Sequence, residues 1–160
     1  MGKRQPKEEK VWTEKALATN RKAKFLYHID EKVEAGIVLV GSEVKSLRSG
    51  QASLTEAFAI PKKDELWLMN LHIPPYEQAG SYRPEPVRPR KLLLHRREIE
   101  KLSGAVSRKG VTLVPLRIYI ARRRVKVEIG VCRGKKAHDK REAIKERDLK
   151  RSGEREFRVR

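Results

Sequence analysis

Apolar positions alternate most strictly in the second half of the chain. Leu116, Ile118 and Ile120 alternate with Arg117 and Tyr119, and Val125, Val127, Ile129 and Val131 alternate with Lys126 and Glu128. A period of two predicts a pair of strands with one face buried and one wet. The turn between them falls at or beside Arg122–Arg124, and the wet face would carry Arg117, Tyr119, Lys126 and Glu128. Residues 33–40 (VEAGIVLV) are compact and β-branched, which predicts another strand. Ser42 is suited to cap a short helix over 43–48, with Val44 and Leu47 three apart on its buried side and Gly50 as its stop. Residues 58–60 and 65–73 flank the turn-like Pro61-Lys62-Lys63-Asp64 and predict a hairpin. Residues 91–94 predict a short strand. Residues 95–106 predict a helix, with Ile99, Leu102 and Val106 at helical spacing.

The pattern breaks in three places. Residues 74–90 hold five of the eight prolines, which remove backbone donors and fix φ, so neither a helix nor a central strand is expected there. Residues 1–19 are polar and read as a disordered arm. Residues 133–160 have few large apolar side chains, Ile144, Leu149, Phe157 and Val159, but pair opposite charges at helical spacing, as in Glu142–Lys145 and Glu146–Lys150. Such a helix is marginal in water, so the segment is expected to be disordered alone and helical on a partner. No internal repeat is visible. Several short strands with two short helices among them predict a mainly β fold, a small antiparallel barrel of the oligonucleotide-binding type. The organisation is an arm (1–19), a β-barrel domain (20–132) and a basic tail (133–160).

Charge changes this picture from a fold to a partner. The chain of 160 residues carries 39 Lys and Arg against 21 Asp and Glu, a net +18. Residues 1–19 contribute +2, 20–132 contribute +10 and 133–160 contribute +6, so the folded part is itself strongly basic. An excess of this size repels itself unless a polyanion relieves it. Nucleic acid is the commonest such partner, because neutralised phosphates release condensed counterions; a membrane surface is the other. The single cysteine, Cys132, excludes an intrachain disulfide and fits a reducing compartment. No apolar run has signal-peptide or membrane-spanning length, so a cytoplasmic protein is expected.

Catalytic patterns are missing. His28, His72, His95 and His138 are far apart and show no metal-ligand spacing. Aspartate is scarce (Asp30, Asp64, Asp139, Asp148) and forms no DxD or DxE cluster for a two-metal nuclease. No G-x-S-x-G, phosphate-loop or dinucleotide pattern occurs. No catalytic residue, metal site or cofactor is therefore expected, and Cys132 reads as a small filler. What remains is aromatic residues among cations. Tyr76 and Tyr82 lie near Arg83, Arg88, Arg90 and Lys91, where they could stack unpaired bases or simply pin the loop. Trp67 reads as core or half-buried. Glu34 and Glu43 stand as acids in a basic field: salt bridges by default, or carboxylates that accept from a base edge or orient an arginine.

Seven strings carry a resemblance: NRKAK (20–24), EAGIVLVGSEVKSLRSGQA (34–52), HIPPYEQ (72–78), RPRKLLLHRREI (88–99), KGVTLVPLRIYI (109–120), VKVEIGVCRGKKAHDKR (125–141) and IKERD (144–148). In this order and spacing the chain resembles the small protein B family, the SsrA-binding proteins. The resemblance implies an oligonucleotide-binding-like barrel with about three helices, and no enzymatic activity. It implies that the partner is the tRNA-like domain of transfer-messenger RNA, with Asn20, Glu34 and Leu93 as RNA-contact positions. Lys22, Lys45, Arg48 and Lys91 would be phosphate ligands, with Arg21 beside them. It also implies a tail that enters the small-subunit decoding centre and the empty mRNA channel and folds there as a helix. That part comprises Gly134, Lys135, Lys136, His138, Asp139, Lys140, Arg141 and Ile144. Delivery with elongation factor Tu, by a monomer, is part of the same implication. Two rivals stand beside it: a general RNA chaperone, which would stack single strands on aromatic residues, and an RNA-processing enzyme. The aromatic fraction of only 6% argues against the first.

Overall fold

The computed structural model describes residues 15–158. The first fourteen residues of the expected arm, and Val159 of the expected tail, lie outside the described residues. The arm's last residues are not irregular: Ala16–Thr19 forms strand β1, paired antiparallel with residues 117–119. Its four residues carry almost no pattern of their own. The strand exists because a longer strand offers it an unpaired edge, and because Leu17 is buried in the core at 8% exposure.

A one-turn helix, α1 (Ala23–Leu26), follows and leads into the long strand β2 (Tyr27–Ile37). Helix α2 (Gly41–Arg48) begins two residues before the expected start. Its cap position is Val40, not Ser42, and Glu43 closes the first turn by accepting from the Val40 N–H at 3.2 Å. Gly50 has a φ of +79° and ends the turn in the left-handed region that suits glycine. The hairpin is β3 (Phe58–Lys62) and β4 (Glu65–Met69). Pro61 and Lys62 are still in strand, and the turn is only Lys63-Asp64, with φ of 49° and 58°. The second strand stops at Met69 instead of Ile73, because Asn70 turns the chain out with a φ of 56°. β5 (Arg90–Leu93), α3 (Arg96–Val106), β6 (Val111–Ala121) and β7 (Arg124–Gly134) match the expected elements closely.

The strands run β6-β3-β4-β5-β2-β7, and β7 pairs back onto β6, so the sheet closes on itself. β3 touches β6 at only one pair, Ala59 with Leu113, and β1 occupies the rest of that edge. The interior holds Leu66, Leu68, Leu92, Leu113, Ile118, Val127 and Ile129, joined by Leu47 of α2 and Leu102 of α3, all at 0 or 1% exposure. The barrel expected from the sequence is the observed architecture. Among the described residues it carries four helices, where about three were expected.

The strict alternation along β6 is broken by a bulge. The register with β7 shifts between Pro115 and Arg117, where proline cannot donate to the ladder. Leu116 consequently leaves the barrel interior and packs with Ala23, Val114 and Cys132 in a second small cluster beneath α1. The supposed wet face is also drier than period two implies, since Tyr119 is 3% exposed. Cys132 is fully buried, and burial pushes its thiol up to about 11, with Asp30 adding to the effect.

The tail begins later than expected: Arg133 and Gly134 are the end of β7. The rest of the segment forms helix α4 (Ala137–Arg158), the helical state expected of it on a partner. Its first turn is closed by Asp139, which accepts from the Lys136 N–H at 3.3 Å and lies 3.3 Å from His28 Nε2. Arg147 lies over the Phe25 ring at 5.8 Å. Its apolar residues Ile144 and Leu149 face solvent, at 45% and 74% exposure. No helix among the described residues is long and apolar enough to cross a membrane.

Candidate nucleic-acid interface

The register of the closed sheet brings distant residues onto one row. Gly36 of β2 pairs with Leu93 of β5 on one side and Lys126 of β7 on the other, and Lys126 pairs with Tyr119 of β6. A Cβ on residue 36 would lie 3.2 Å from the Leu93 Cβ. Glycine there lets the Leu93 side chain lie close over β2, at 52% exposure. Glu34, two residues back on the same face, accepts a hydrogen bond from the Tyr119 hydroxyl and has Lys126 Nζ at 3.8 Å. Its backbone neighbour across the ladder is Glu128. Burial alone would raise the Glu128 carboxyl, but Arg117 and Lys32 outweigh it and hold the group below the ordinary value. The acids of this face are thus neutralised internally.

Beside this row lies a groove of about 390 Å³. Arg48, Arg123, Arg124 and Lys126 bring positive charge to it, Leu93 and Ile120 supply apolar surface, and no acidic residue lines it. It unites two of the sequence-derived positions, Arg48 and Leu93, with the arginine hairpin.

The other positions lie elsewhere. Asn20 is 8% exposed, and its amide donates to the carbonyls of Pro115 at 3.2 Å and Leu54 at 3.4 Å. Its backbone N–H bonds the Leu116 carbonyl at 2.8 Å. Asn20 therefore ties the end of β1 to the β6 bulge. Arg21 and Lys22 are exposed in the turn that follows. Lys45 lies 5.6 Å from the Tyr76 ring centre, so that tyrosine helps fix both loop and cation, whereas Tyr82 is 69% exposed. Lys91 pairs with Glu65 at 2.7 Å and stands opposite Trp67.

The most buried charges form a cluster whose depth the sequence did not signal. Arg90 is 0% and Glu43 3% exposed. Arg90 donates to Glu43 from Nε and Nη2, at 3.3 and 3.1 Å, and to the carbonyls of Leu71 (2.6 Å), Pro86 (3.1 Å) and Arg88 (3.3 Å). Arg88 grips the same carboxylate at 2.7 and 2.9 Å. This cluster staples the proline-rich loop to α2, and for Glu43 the salt-bridge reading is the correct one. Burial acts to raise the Glu43 carboxyl, but the two arginines prevail and hold it below its usual value. Only the spacing of Arg88 and Arg90, two positions apart around Pro89 in the proline-rich loop, hinted at a fork of this kind.

The one grouping of possible metal ligands among the described residues is His138, Asp139 and Glu142, within 4.8 Å of one another. All three already have protein partners: Lys136 N–H and His28 for Asp139, and each other at 3.5 Å for His138 and Glu142.

Comparison with known proteins agrees with this architecture. The family model described as SmpB protein matches residues 17–159. The SsrA-binding protein of Chloroflexus aggregans is 57% identical over 140 residues, covering 87% of this chain and 89% of its own length. That of Roseiflexus sp. (strain RS-1) is 53% identical over 148 residues, covering 92% and 94%. A chain in the solved structure "tmRNA-SmpB: a journey to the center of the bacterial ribosome" superimposes with a TM-score of 0.66 at 49% identity, covering 79% of this chain and 92% of that one. A match that runs from β1 to the end of α4 covers the barrel, the cationic groove and the projecting helix together, and the chain belongs to the SmpB protein family.

Proposed function

We propose that this protein is the RNA-binding partner of transfer-messenger RNA in trans-translation: it holds the tRNA-like domain of that RNA and brings it to the A site of stalled ribosomes. The observation that carries the reading is the family match over 17–159, which takes in the described elements from within β1 to the end of α4. The geometry supports it. The barrel turns exposed cations outward at α1, at α2 and at the arginine hairpin, while Glu34, Glu43 and Glu128 are paired within the protein. Positive charge without a catalytic constellation suits binding, not bond breaking. Glu34 and Leu93 beside Arg48 form the centre of the RNA contact. Lys22, Lys45 and Lys91 take phosphates around it, with Arg21 near α1. Asn20 acts by holding the β1–β6 junction that shapes this surface. The helix that starts at Ala137 is the part directed to the decoding centre and the mRNA channel, with Lys135, Lys136, Lys140 and Arg141 at its base. Delivery with elongation factor Tu, by a cytoplasmic monomer, completes the proposal.

Competition is the direct test. At physiological salt the protein is expected to prefer transfer-messenger RNA over bulk tRNA and over an unrelated structured RNA. Equal binding to all three would leave only a general RNA chaperone.

Glu34→Ala provides a second test with a counter-intuitive sign. Removal of an acid from a basic surface should tighten RNA binding on charge alone. Here the carboxylate fixes the Tyr119 hydroxyl and faces Lys126, so the substitution is expected to weaken specific binding about tenfold, the worth of roughly one charged hydrogen bond. Glu34→Gln, which keeps an acceptor, should lose less. Tighter binding by the alanine variant would rule the role out.

A further inference from the structure

The hairpin of β3 and β4 is apolar on both of its faces. Ala59, Leu66 and Leu68 point into the core, at 3, 0 and 0% exposure. The alternate residues Phe58, Ile60, Trp67 and Met69 are therefore turned outward. A strand with one face in a core ordinarily carries polar residues on the other, as β6 and β7 do with Arg117, Lys126 and Glu128. Cross-strand pairing sets Ile60 beside Trp67 and Phe58 beside Met69, so these side chains form one continuous surface. Against it, bounded by Pro89, lies a hollow of about 410 Å³. Its lining comes from β3, β4 and the approach to β5, and no helix among the described residues supplies a wall. Contiguous apolar surface left open in this way marks a place where something docks.

The chemistry of the hollow indicates its occupant. Ile60, Met69 and Pro89 offer no side-chain donor. The indole N–H of Trp67 is engaged by Glu65, whose carboxyl is held below its ordinary value first by Lys91 and further by this indole. A nucleobase would find nothing here to pair with its edge, which is how an unpaired base is read. Tryptophan and methionine are instead side chains enriched where proteins meet. The charge left unspent is positive. Lys62 and Lys63 line the rim, are exposed, and have no carboxylate partner among the described residues, and Asp64 does not line the hollow. An apolar hollow with two free ammonium groups at its edge is complementary to an apolar side chain flanked by carboxylates. None of its lining residues belongs to the groove at Arg48 and Leu93.

Resting on the function proposed above, we propose that this hollow is a protein-docking site. It seats an aliphatic or aromatic side chain from an acidic segment of a protein in the stalled-ribosome complex. Trp67 is the wall on which that side chain lies, and Lys62 and Lys63 meet the carboxylates beside it.

A photo-cross-linker reads what covers the hollow. In the full chain, p-azidophenylalanine replaces Met69, and the protein is bound with transfer-messenger RNA and elongation factor Tu to purified stalled ribosomes. Irradiation is expected to give an adduct that protease destroys and ribonuclease does not, mapping to a segment with aspartate or glutamate. The same group at Leu93 should join RNA. Two variants then test the need for the contact. Trp67→Lys and Lys62→Gln/Lys63→Gln are each expected to keep the parent's affinity for the tRNA-like-domain transcript within about twofold, and to lower rescue roughly tenfold, the loss typical of an interface anchor. Lys62→Arg/Lys63→Arg should rescue as the parent does. The lysine pair is exposed and outside the core, so its loss of rescue is not a loss of fold.

An adduct to RNA, no adduct at Met69, or full rescue by the glutamine pair overturns the docking site. So does a loss of transcript affinity that matches the loss of rescue, which would make the hollow part of the RNA surface. If the parent itself shows no preference for the transcript over bulk tRNA, the proposed function is what fails. If that preference stands and the hollow stays uncovered, only the docking site does.

Discussion

Glu43→Gln is expected to destabilise the protein by about 3–5 kcal/mol, the cost of breaking a buried ion pair from one side, and to lower the melting temperature by roughly 10 °C for a chain of this size. The amide nearly keeps the shape of the carboxylate, so the loss is electrostatic. Arg90 has no exposed surface, and without Glu43 its charge stays buried with only carbonyl oxygens to face it. Replacement of both partners with apolar residues, Glu43→Leu/Arg90→Met, should recover only part of the stability. The carbonyls of Leu71 and Arg88 would then lose the donor that Arg90 supplies, and a buried acceptor left unmade carries its own penalty. Chemical denaturation of both variants measures this; a Glu43→Gln protein that melts with the parent would show that the cluster does not hold the loop.

The same cluster sets a pH dependence. The folded Glu43 carboxyl titrates below its ordinary value of 4.5, with burial opposing and the two arginines winning. A lowered folded value means that the unfolded chain takes up the proton first. The contribution is therefore complete above about pH 4.5 and is lost as the pH falls through the folded value. Melting temperature should be flat in this group's account near neutrality and fall under acid, and Glu43→Gln should flatten part of that fall.

Truncation at Lys136 is expected to abolish ribosome rescue while the affinity for the tRNA-like RNA stays nearly unchanged. The barrel loses little with α4. What joins them is chiefly Arg147 over Phe25 and Asp139 beside His28, both near the surface. The β7 ladder to Gly134 and the Lys135 N–H to Leu26 carbonyl bond at 2.9 Å remain in the shortened chain. A helix of 22 residues spans roughly 33 Å, long enough to project from the barrel into a channel. Ile144 and Leu149, exposed on the free protein, are available to a second surface. Rescue assays on stalled ribosomes, run beside RNA binding, separate the two functions. Persistent rescue would remove the tail from the mechanism, and a matching loss of RNA affinity would mean that the helix belongs to the RNA site.

The sequence alone determined the elements with strong local signals. The β6–β7 pair, the helix over Arg96–Val106, the proline-rich loop and the basic surplus were legible because periodicity, proline chemistry and charge act over a few residues. Tertiary structure decided what depends on partners far along the chain. Ala16–Thr19 is a strand only because β6 has an open edge. Leu116 left the face that its period assigned because a bulge at Pro115 shifted the register. Glu43 became a buried anchor because the loop carries Arg88 and Arg90 back across α2. The groove joins Arg48, Leu93 and Arg123 only after the sheet closes. Local preference is set by a residue and its near neighbours, whereas burial and pairing are set by whichever segment the closed barrel brings alongside.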